Sequence, residues 1–329
     1  MHLADSAAGN KPERLAAPAS AEFLILAGTA NRALADAIAE HVGVPLGTCA
    51  IERFPDGEVS VELGTSVRRK EVFLVQPTSP PVNDHLMELL ALADACRRAA
   101  AGHITAVVPY FGYARQDRRA GRREPITARV VATVLEAIGV DQVVTLDLHT
   151  PQIEGFFRVP VDNLTAVPIL CDALRPRLPR NVVVVSPDAG RVKMADDYAR
   201  RLGAPVAVLY KRRESGTETA VTHVAGNVRD RPCLLIDDMI STGGTIASSV
   251  RALLDAGARE EITVAATHGL LLEGALEQLD QDAVREVVVT DTVRPVTNGW
   301  PRLHVVSVAP LLASAMRRFV ADHSLRDLL

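Results

Sequence analysis

Residues 233–245 read Cys233-Leu-Leu-Ile-Asp-Asp-Met-Ile-Ser-Thr-Gly-Gly-Thr245. A short apolar run that ends in adjacent carboxylates, Asp237 and Asp238, has the pattern of a buried strand stopping at a ligand-facing edge. The small-residue loop that follows opens a helix. Gly243 and Gly244 let the backbone curl so that successive N–H groups face one phosphate, and Ser241, Thr242 and Thr245 offer hydroxyls. The start of the helix adds a favourable potential for a dianion. The two carboxylates suit sugar hydroxyls, or a metal resting on them. Thr-Gly-Gly-Thr alone is equally the mark of an ordinary capped helix, but the whole string points to a ribose-phosphate cradle.

Similar apolar runs recur on both sides of this stretch, at 23–27, 72–76, 104–109, 143–148, 182–186, 206–210, 234–237, 262–267, 287–290 and 305–308. Many are unbroken Val/Ile/Leu runs without alternation, which predicts parallel strands buried on both faces with helices over a central sheet. The helices carry their own punctuation. Over 83–102, Asn83 is the expected cap, Leu86, Leu89, Leu90 and Ala93 form the apolar stripe, Arg97 and Arg98 suit the last turn, and Gly102 ends it. Over 246–257, Ile246, Val250 and Leu253 face inward and Gly257 is the stop. The expected organisation is α/β: a loose Ala/Pro/Ser-rich leader at 1–20, then tandem domains at 21–163 and 164–329. The join is placed near 160–166, where Pro160, Asp162, Asn163 and Pro168 interrupt the pattern.

Composition narrows the function. The chain has 329 residues, 48% of them hydrophobic and 23% charged, the balance of a globular protein. A net charge of -4 and 4% aromatic residues argue against a nucleic-acid reader, which needs a basic field and stacking platforms. No 18-residue stretch is free of charge, so no membrane-spanning helix is expected. Cys49, Cys96, Cys171 and Cys233 lie far apart and form no C-x-x-C pair. They read as reduced thiols of a cytoplasmic protein.

Ligands of open parallel sheets bind beyond the carboxyl ends of strands, so the residues after each run matter most. Neither G-x-x-x-x-G-K-[ST] nor G-x-G-x-x-G occurs. Residues 113–125 instead hold five arginines at a strand end, Arg115 beside Gln116 among them, which suits a polyphosphate better than a merely solvated face. Lys211-Arg212-Arg213 ends another run and leads into Glu214-Ser215-Gly216; basic groups on such a loop suit phosphoryl transfer. His149 and Asp188 terminate two further runs. Each alone is as readily structural, the histidine packed and the aspartate a helix cap. Together they could flank a magnesium-bound nucleotide.

With these motifs assembled, the sequence closely resembles the ribose-phosphate pyrophosphokinase family from about Phe23 to the C-terminus. The resemblance rests on Phe54-Pro-Asp-Gly-Glu58, Pro109-Tyr-Phe-Gly-Tyr-Ala-Arg-Gln-Asp-Arg118, residues 145–157 (TLDLHTPQIEGFF), 186–190, 211–213 and 235–245, and extends to Val305-Val-Ser-Val-Ala-Pro-Leu-Leu312. It implies two tandem phosphoribosyltransferase-like domains with mainly parallel sheets flanked by helices. It also implies transfer of the pyrophosphoryl group of ATP to the 1-hydroxyl of ribose 5-phosphate, giving phosphoribosyl pyrophosphate and AMP. By the same likeness, Arg115, Gln116 and His149 contact ATP. Phe54, Asp56 and Glu58 reach from a neighbouring subunit to hold the adenine. His149 and Asp188 serve Mg²⁺, and Asp237 and Asp238 hold the ribose hydroxyls. Ser241, Thr242, Gly243, Gly244 and Thr245 belong to the ribose 5-phosphate loop, and Lys211 and Arg213 close over the reacting phosphates. A homo-oligomer, a hexamer in many members, is implied, with activation by phosphate and inhibition by ADP as family traits.

The chain departs from the family pattern at four positions. Ser241 stands where most relatives carry Asp, Arg191 and Met194 where Gly and Arg are usual, and Ala120 where some carry an acidic residue. The alternatives are a catalytically silent binder of the same fold and a phosphoribosyltransferase that consumes the product. Retained Lys211 and Arg213 speak against the first. The Phe54–Glu58 and Arg115–Gln116 segments, idle in such a transferase, speak against the second.

Overall fold

Unbroken apolar strands need cover on both faces, and in the computed structural model both large sheets are flanked by helices. The structure describes residues 23–119, 121, 123–213, 219–295 and 299–329, and of 211–213 and 219–222 it describes the backbone. The predicted leader, Ala120 and residues 214–216 lie outside the described residues.

The first unit comprises β1 (Phe23–Ala27), α1 (Arg32–Val42), β2 (Cys49–Arg53), β3 (Val59–Leu63), β4 (Glu71–Val75), α2 (Val82–Arg98), β5 (His103–Val108), α3 (Thr127–Ile138), β6 (Gln142–Leu146) and β7 (Val161–Leu164). Its sheet has the order β1-β4-β5-β6-β7, parallel throughout. β2 and β3 form a separate antiparallel pair. The second unit runs through α4 (Val167–Leu174), β8 (Val183–Ser186), α5 (Val192–Leu202), β9 (Val206–Arg213), β10 (Thr219–Ala225) and β11 (Cys233–Ile240). It continues through α6 (Gly244–Asp255), β12 (Ile262–Gly269), α7 (Ala275–Leu279), β13 (Val284–Thr290), β14 (Leu303–Val306) and α8 (Ala309–Val320). The second sheet has the order β10-β9-β8-β11-β12-β13-β14, parallel except for the β9–β10 pair.

The two units share a core. One continuous cluster takes Ile25, Phe73 and Leu146 from the first sheet, Val184, Leu234 and Ile236 from the second, and Leu312 and Met316 from α8. The final helix thus returns to the first unit: Phe319 lies 6.3 Å from Phe73, centroid to centroid, and Arg317 donates to the His41 carbonyl at 2.6 Å. Asn31 adds a polar tie. Its Oδ1 caps α1 by accepting from Leu34 N at 3.3 Å, while its Nδ2 donates to the Asp291 carbonyl at 2.7 Å. The outer faces pack separately, under α2 and α3 in the first unit and under α6 and α7 in the second.

Several local expectations are corrected. α2 starts at Val82 behind Pro81, so Asn83 is inside the helix and is not its cap, and the helix ends at Arg98, before Gly102. Pro81 itself is the N-cap residue, extended at φ −73° and ψ 111°, and its fixed φ leads the chain into a first turn that begins at Val82. Arg97 and Arg98 do occupy the last turn. Residues 161–164, read as part of the join, form β7 and extend the first sheet beside β6. β2, β3 and β10 had no counterpart among the predicted strands, because their runs are short, half-exposed or mixed with polar residues.

Two outcomes test this packing. Leu312→Ala, at a fully buried site in the shared cluster, is expected to lower the unfolding free energy by ~2–5 kcal/mol. It should do so within a single urea transition that near-UV and far-UV dichroism report together; separate transitions would show that the units unfold independently. Burial pushes the thiols of Cys96, Cys171 and Cys233 up to about 12. At pH 8 these three are expected to resist iodoacetamide in the native protein and to react after denaturation, as peptide mass spectrometry would show.

Candidate active site

β8 is the pivot of the second sheet: the chain passes from it to β9 on one side and returns to β11 on the other. A crevice forms at the carboxyl ends of two strands where the winding reverses in this way. Here the β8–β11 register stops at Leu235, whereas β11 continues to Ile240 beside β12. One side of Asp237 and Asp238 is therefore left to the turn after β8. A cavity of about 300 Å³ opens there.

Its floor is the predicted cradle. Asp237, Asp238 and the run from Ser241 through Thr245 line it, with the first turn of α6 at its edge. Gly243 adopts φ +78°, and a Cβ there would meet the Ala275 carbonyl oxygen at 3.0 Å, so glycine serves both the turn and the contact with α7. The extended strand corrects one detail: Asp237 and Asp238 lie inside β11, three or two residues before its end, where the expected run stopped at 237.

The opposite wall comes from the first unit. His149 and Arg115 line the same cavity. His149 follows a polar anchor: Asp147, at φ +37°, accepts from Ala166 N at 3.0 Å and from Thr267 Oγ1 at 2.6 Å. An aspartate tolerates this left-handed conformation better than most residues, at a cost of about 1 kcal/mol or more that the two bonds offset. Buried His268 continues the network, Nδ1 to Thr292 Oγ1 at 2.9 Å and Nε2 to the Asp147 carbonyl at 3.4 Å. Burial lowers the His268 pKa, which favours the neutral ring. Arg115 stands between this cavity and a second of about 350 Å³ lined by Gln116, Tyr110, Tyr113 and residues 81–84.

Asp188 shows both features weighed for it. Its Oδ1 accepts from Gly190 N at 2.8 Å and Arg191 N at 3.2 Å, the geometry of a cap, and the residue also lines the cavity. Among the described residues no group of three or more His, Cys, Asp or Glu could hold a metal ion. Phe54, Asp56 and Glu58 line neither cavity. They form the turn between β2 and β3, where Phe54 N donates to the Glu58 carbonyl at 2.8 Å, and the Phe54 ring is 47% exposed. Lys211 and Arg213 are on β9, opposite Val221 and Thr219 of β10, and their side chains lie outside the described residues.

Arg191 is the residue that the sequence reading had not placed in the site. Its guanidinium lies 3.4 Å from Asp237 Oδ1 and 3.0 Å from Asp238 Oδ1. Burial raises the Asp237 pKa, and the neighbouring Asp238 charge raises it further. Burial acts on Asp238 in the same sense, but the His149 hydrogen bond and the Arg191 charge outweigh it and hold that carboxyl at about 2. The signal in the sequence was positional: Arg191 follows Asp188 in the turn that faces the cradle.

Comparison with known proteins agrees with this geometry. Residues 23–139 match the family model described as the N-terminal domain of ribose phosphate pyrophosphokinase, and residues 175–293 match the phosphoribosyl transferase domain. The ribose-phosphate pyrophosphokinase of Brucella melitensis biotype 1 is 44% identical over 307 residues, covering 92% of this chain and 99% of the relative. That of Agrobacterium fabrum is 46% identical with the same coverage. The chain belongs to the ribose-phosphate pyrophosphokinase family. The phosphoribosylpyrophosphate synthetase crystal structure from Mycobacterium smegmatis superposes with a TM-score of 0.85 at 41% identity, covering 91% of this chain and 99% of that one. Both units are accordingly phosphoribosyltransferase-like α/β domains with mostly parallel sheets.

Removing the central carboxylate separates its role from that of the cap. Asp238→Ala is expected to lower unfolding stability by ~3–5 kcal/mol, because it strips a buried acceptor from Arg191 and His149. Asp188→Ala, which removes a cap, should cost only ~0.5–2 kcal/mol. Equal losses in urea titrations would contradict this assignment.

Proposed function

We propose that the protein joins ATP and ribose 5-phosphate, transferring the pyrophosphoryl group to the sugar 1-hydroxyl and releasing AMP. The reading rests on one observation above all. The sugar-phosphate cradle of the second domain and Arg115 and His149 of the first line a single cavity, so two anionic substrates can be held against each other across the domain boundary.

In this reading the hydroxyls and backbone N–H groups of 241–245 hold the 5-phosphate at the start of α6. Asp237 and Asp238 accept hydrogen bonds from the ribose hydroxyls and fix the sugar's rotation, which sets the line along which the 1-hydroxyl oxygen attacks the β-phosphorus. Arg115 and Gln116 hold the nucleotide phosphates from the adjoining cavity. Lys211 and Arg213, on the β9–β10 arm, supply positive charge as the bond between the α- and β-phosphates breaks and AMP leaves.

Mg²⁺ bound with the nucleotide supplies neutralisation of the phosphate oxygens. The donors present fit an ion shared with substrate: such an ion takes one or two carboxylates plus phosphate oxygens, and Asp188 spends only Oδ1 on its cap. His149 has its Nδ1 engaged by Asp238 at 2.8 Å, so it offers Nε2 alone to the nucleotide side. Phe54, Asp56 and Glu58 serve a neighbouring subunit's adenine, which suits an exposed turn lying off its own cavity, and the assembly is a homo-oligomer, a hexamer. The protein works in the cytoplasm, in keeping with four free cysteines.

Nucleotide chromatography after mixing with Mg-ATP and ribose 5-phosphate should show AMP formed only when sugar is present, matched by phosphoribosyl pyrophosphate. ADP in place of AMP would identify ordinary phosphoryl transfer and overturn the reading. Lys211→Ala is expected to lower kcat by ~10²–10⁴, the scale of a lost transition-state cation, with the fold retained.

A further inference from the structure

Two adjacent carboxylates at the bottom of a cavity are hard to keep there. Asp237 and Asp238 are both buried, and desolvation of two like charges side by side is costly unless a cation answers them. The hydroxyls of an incoming sugar are neutral donors and do not meet that need. Among the described residues one guanidinium does. Arg191 sits at the start of α5 with a side chain only 14% exposed, its Nε 3.4 Å from Asp237 Oδ1 and its Nη2 3.0 Å from Asp238 Oδ1.

The same group also reaches across the domain boundary. Nη1 donates to the His149 carbonyl at 2.8 Å, and His149 Nδ1 in turn donates to Asp238 Oδ2 at 2.8 Å, so the 2.6 Å approach of Nη2 to that nitrogen is a close contact and not a second hydrogen bond. A guanidinium has five N–H donors in a fixed plane. This one answers both carboxylates of β11 and the loop that follows β6, contacts that a point-charge ammonium could not make together. Asp238 is held from both sides, by Arg191 on Oδ1 and by His149 on Oδ2, while Asp237 keeps an oxygen for a further donor.

We infer that Arg191 is a positioning residue for the sugar, a built-in counter-cation that holds Asp237 and Asp238 ready for the ribose hydroxyls without a divalent ion at that subsite and keeps the His149 wall in register with them. The inference rests on the substrate reading above. It assigns the charge balance of the cradle to the chain itself and confines any need for a divalent ion to the nucleotide side.

Isothermal titration of ribose 5-phosphate in EDTA, without nucleotide, tests it. The wild-type protein is expected to bind the sugar without metal. Arg191→Met should weaken that binding about tenfold or more, the scale of one charge-assisted hydrogen bond, and Arg191→Lys should restore part of it. In steady-state assays with Mg-ATP, Arg191→Met should raise KM for the sugar by a clearly larger factor than KM for ATP, a split that general loosening of the fold would not produce. Equal or tighter sugar binding by a folded Arg191→Met protein overturns the assignment. If that variant fails to fold, Arg191→Lys decides: undiminished affinity overturns it, and a several-fold loss supports it. Wild-type protein that binds the sugar only with a divalent ion overturns this inference alone. Wild-type protein that binds none in either condition overturns the substrate reading, and this inference with it.

Discussion

The ion cluster at the end of β11 ties the cleft together because its members come from both units, Arg191, Asp237 and Asp238 from the second and His149 from the first. Asp238 is ion-paired within the second domain to Arg191 and hydrogen-bonded to the first through His149. A buried carboxylate with a single weak partner would take up a proton or draw in water. With two partners of opposite origin it instead holds the domains at a fixed separation. The Asp147 network beneath it works in the same way with neutral groups, since Thr267 of β12 and Ala166 N at the domain crossing both satisfy a carboxylate at the end of the β6 run. The cleft is thus defined by polar bonds, while its rigidity comes from apolar packing one layer below.

That layer explains why the geometry is tolerable. α8 closes the chain by packing beside α1, and residues of both sheets contribute to one cluster. Tyr110, Met239, Leu270 and Val293 form a smaller apolar contact next to the cavity itself. Tyr110 comes from the first domain and the other three from the second, and the Tyr110 ring lies edge-on to His268 at 5.1 Å. These buried apolar side chains lower the local dielectric, which strengthens the electrostatic interactions beside them.

Much of this was legible in the residues. The continuous apolar runs announced parallel strands, because burial leaves a local pattern, and residues 237–245, singled out as a cradle, do line one cavity. The hairpin of β2 and β3 was not legible: Cys49-Ala-Ile-Glu-Arg53 is half-exposed and matches neither a buried strand nor a helix. β7 was hidden because Pro160, Asp162 and Asn163 look like a linker, yet Asn163 works within the sheet, its Oδ1 accepting from Leu148 N at 3.1 Å. At α2 Asn83 has the residue type of a cap, yet Pro81 occupies the cap position and Asn83 lies within the helix.

Arg191 marks the deeper limit. Its neighbours in sequence, Gly190 and Val192, carry no charge that would single it out, and its partners stand 42 and 46 to 47 positions away at His149, Asp237 and Asp238. A long-range ion cluster has no period and no motif. What can be read in advance is the demand side: a strand that buries Asp237 beside Asp238 must find positive charge somewhere, and the turn after the neighbouring strand is the nearest backbone that could deliver it. A sequence with two consecutive acids at a buried strand end therefore poses a definite question, which basic residue follows the adjacent strand. In this chain the turn after β8 answers it within three residues of its aspartate cap.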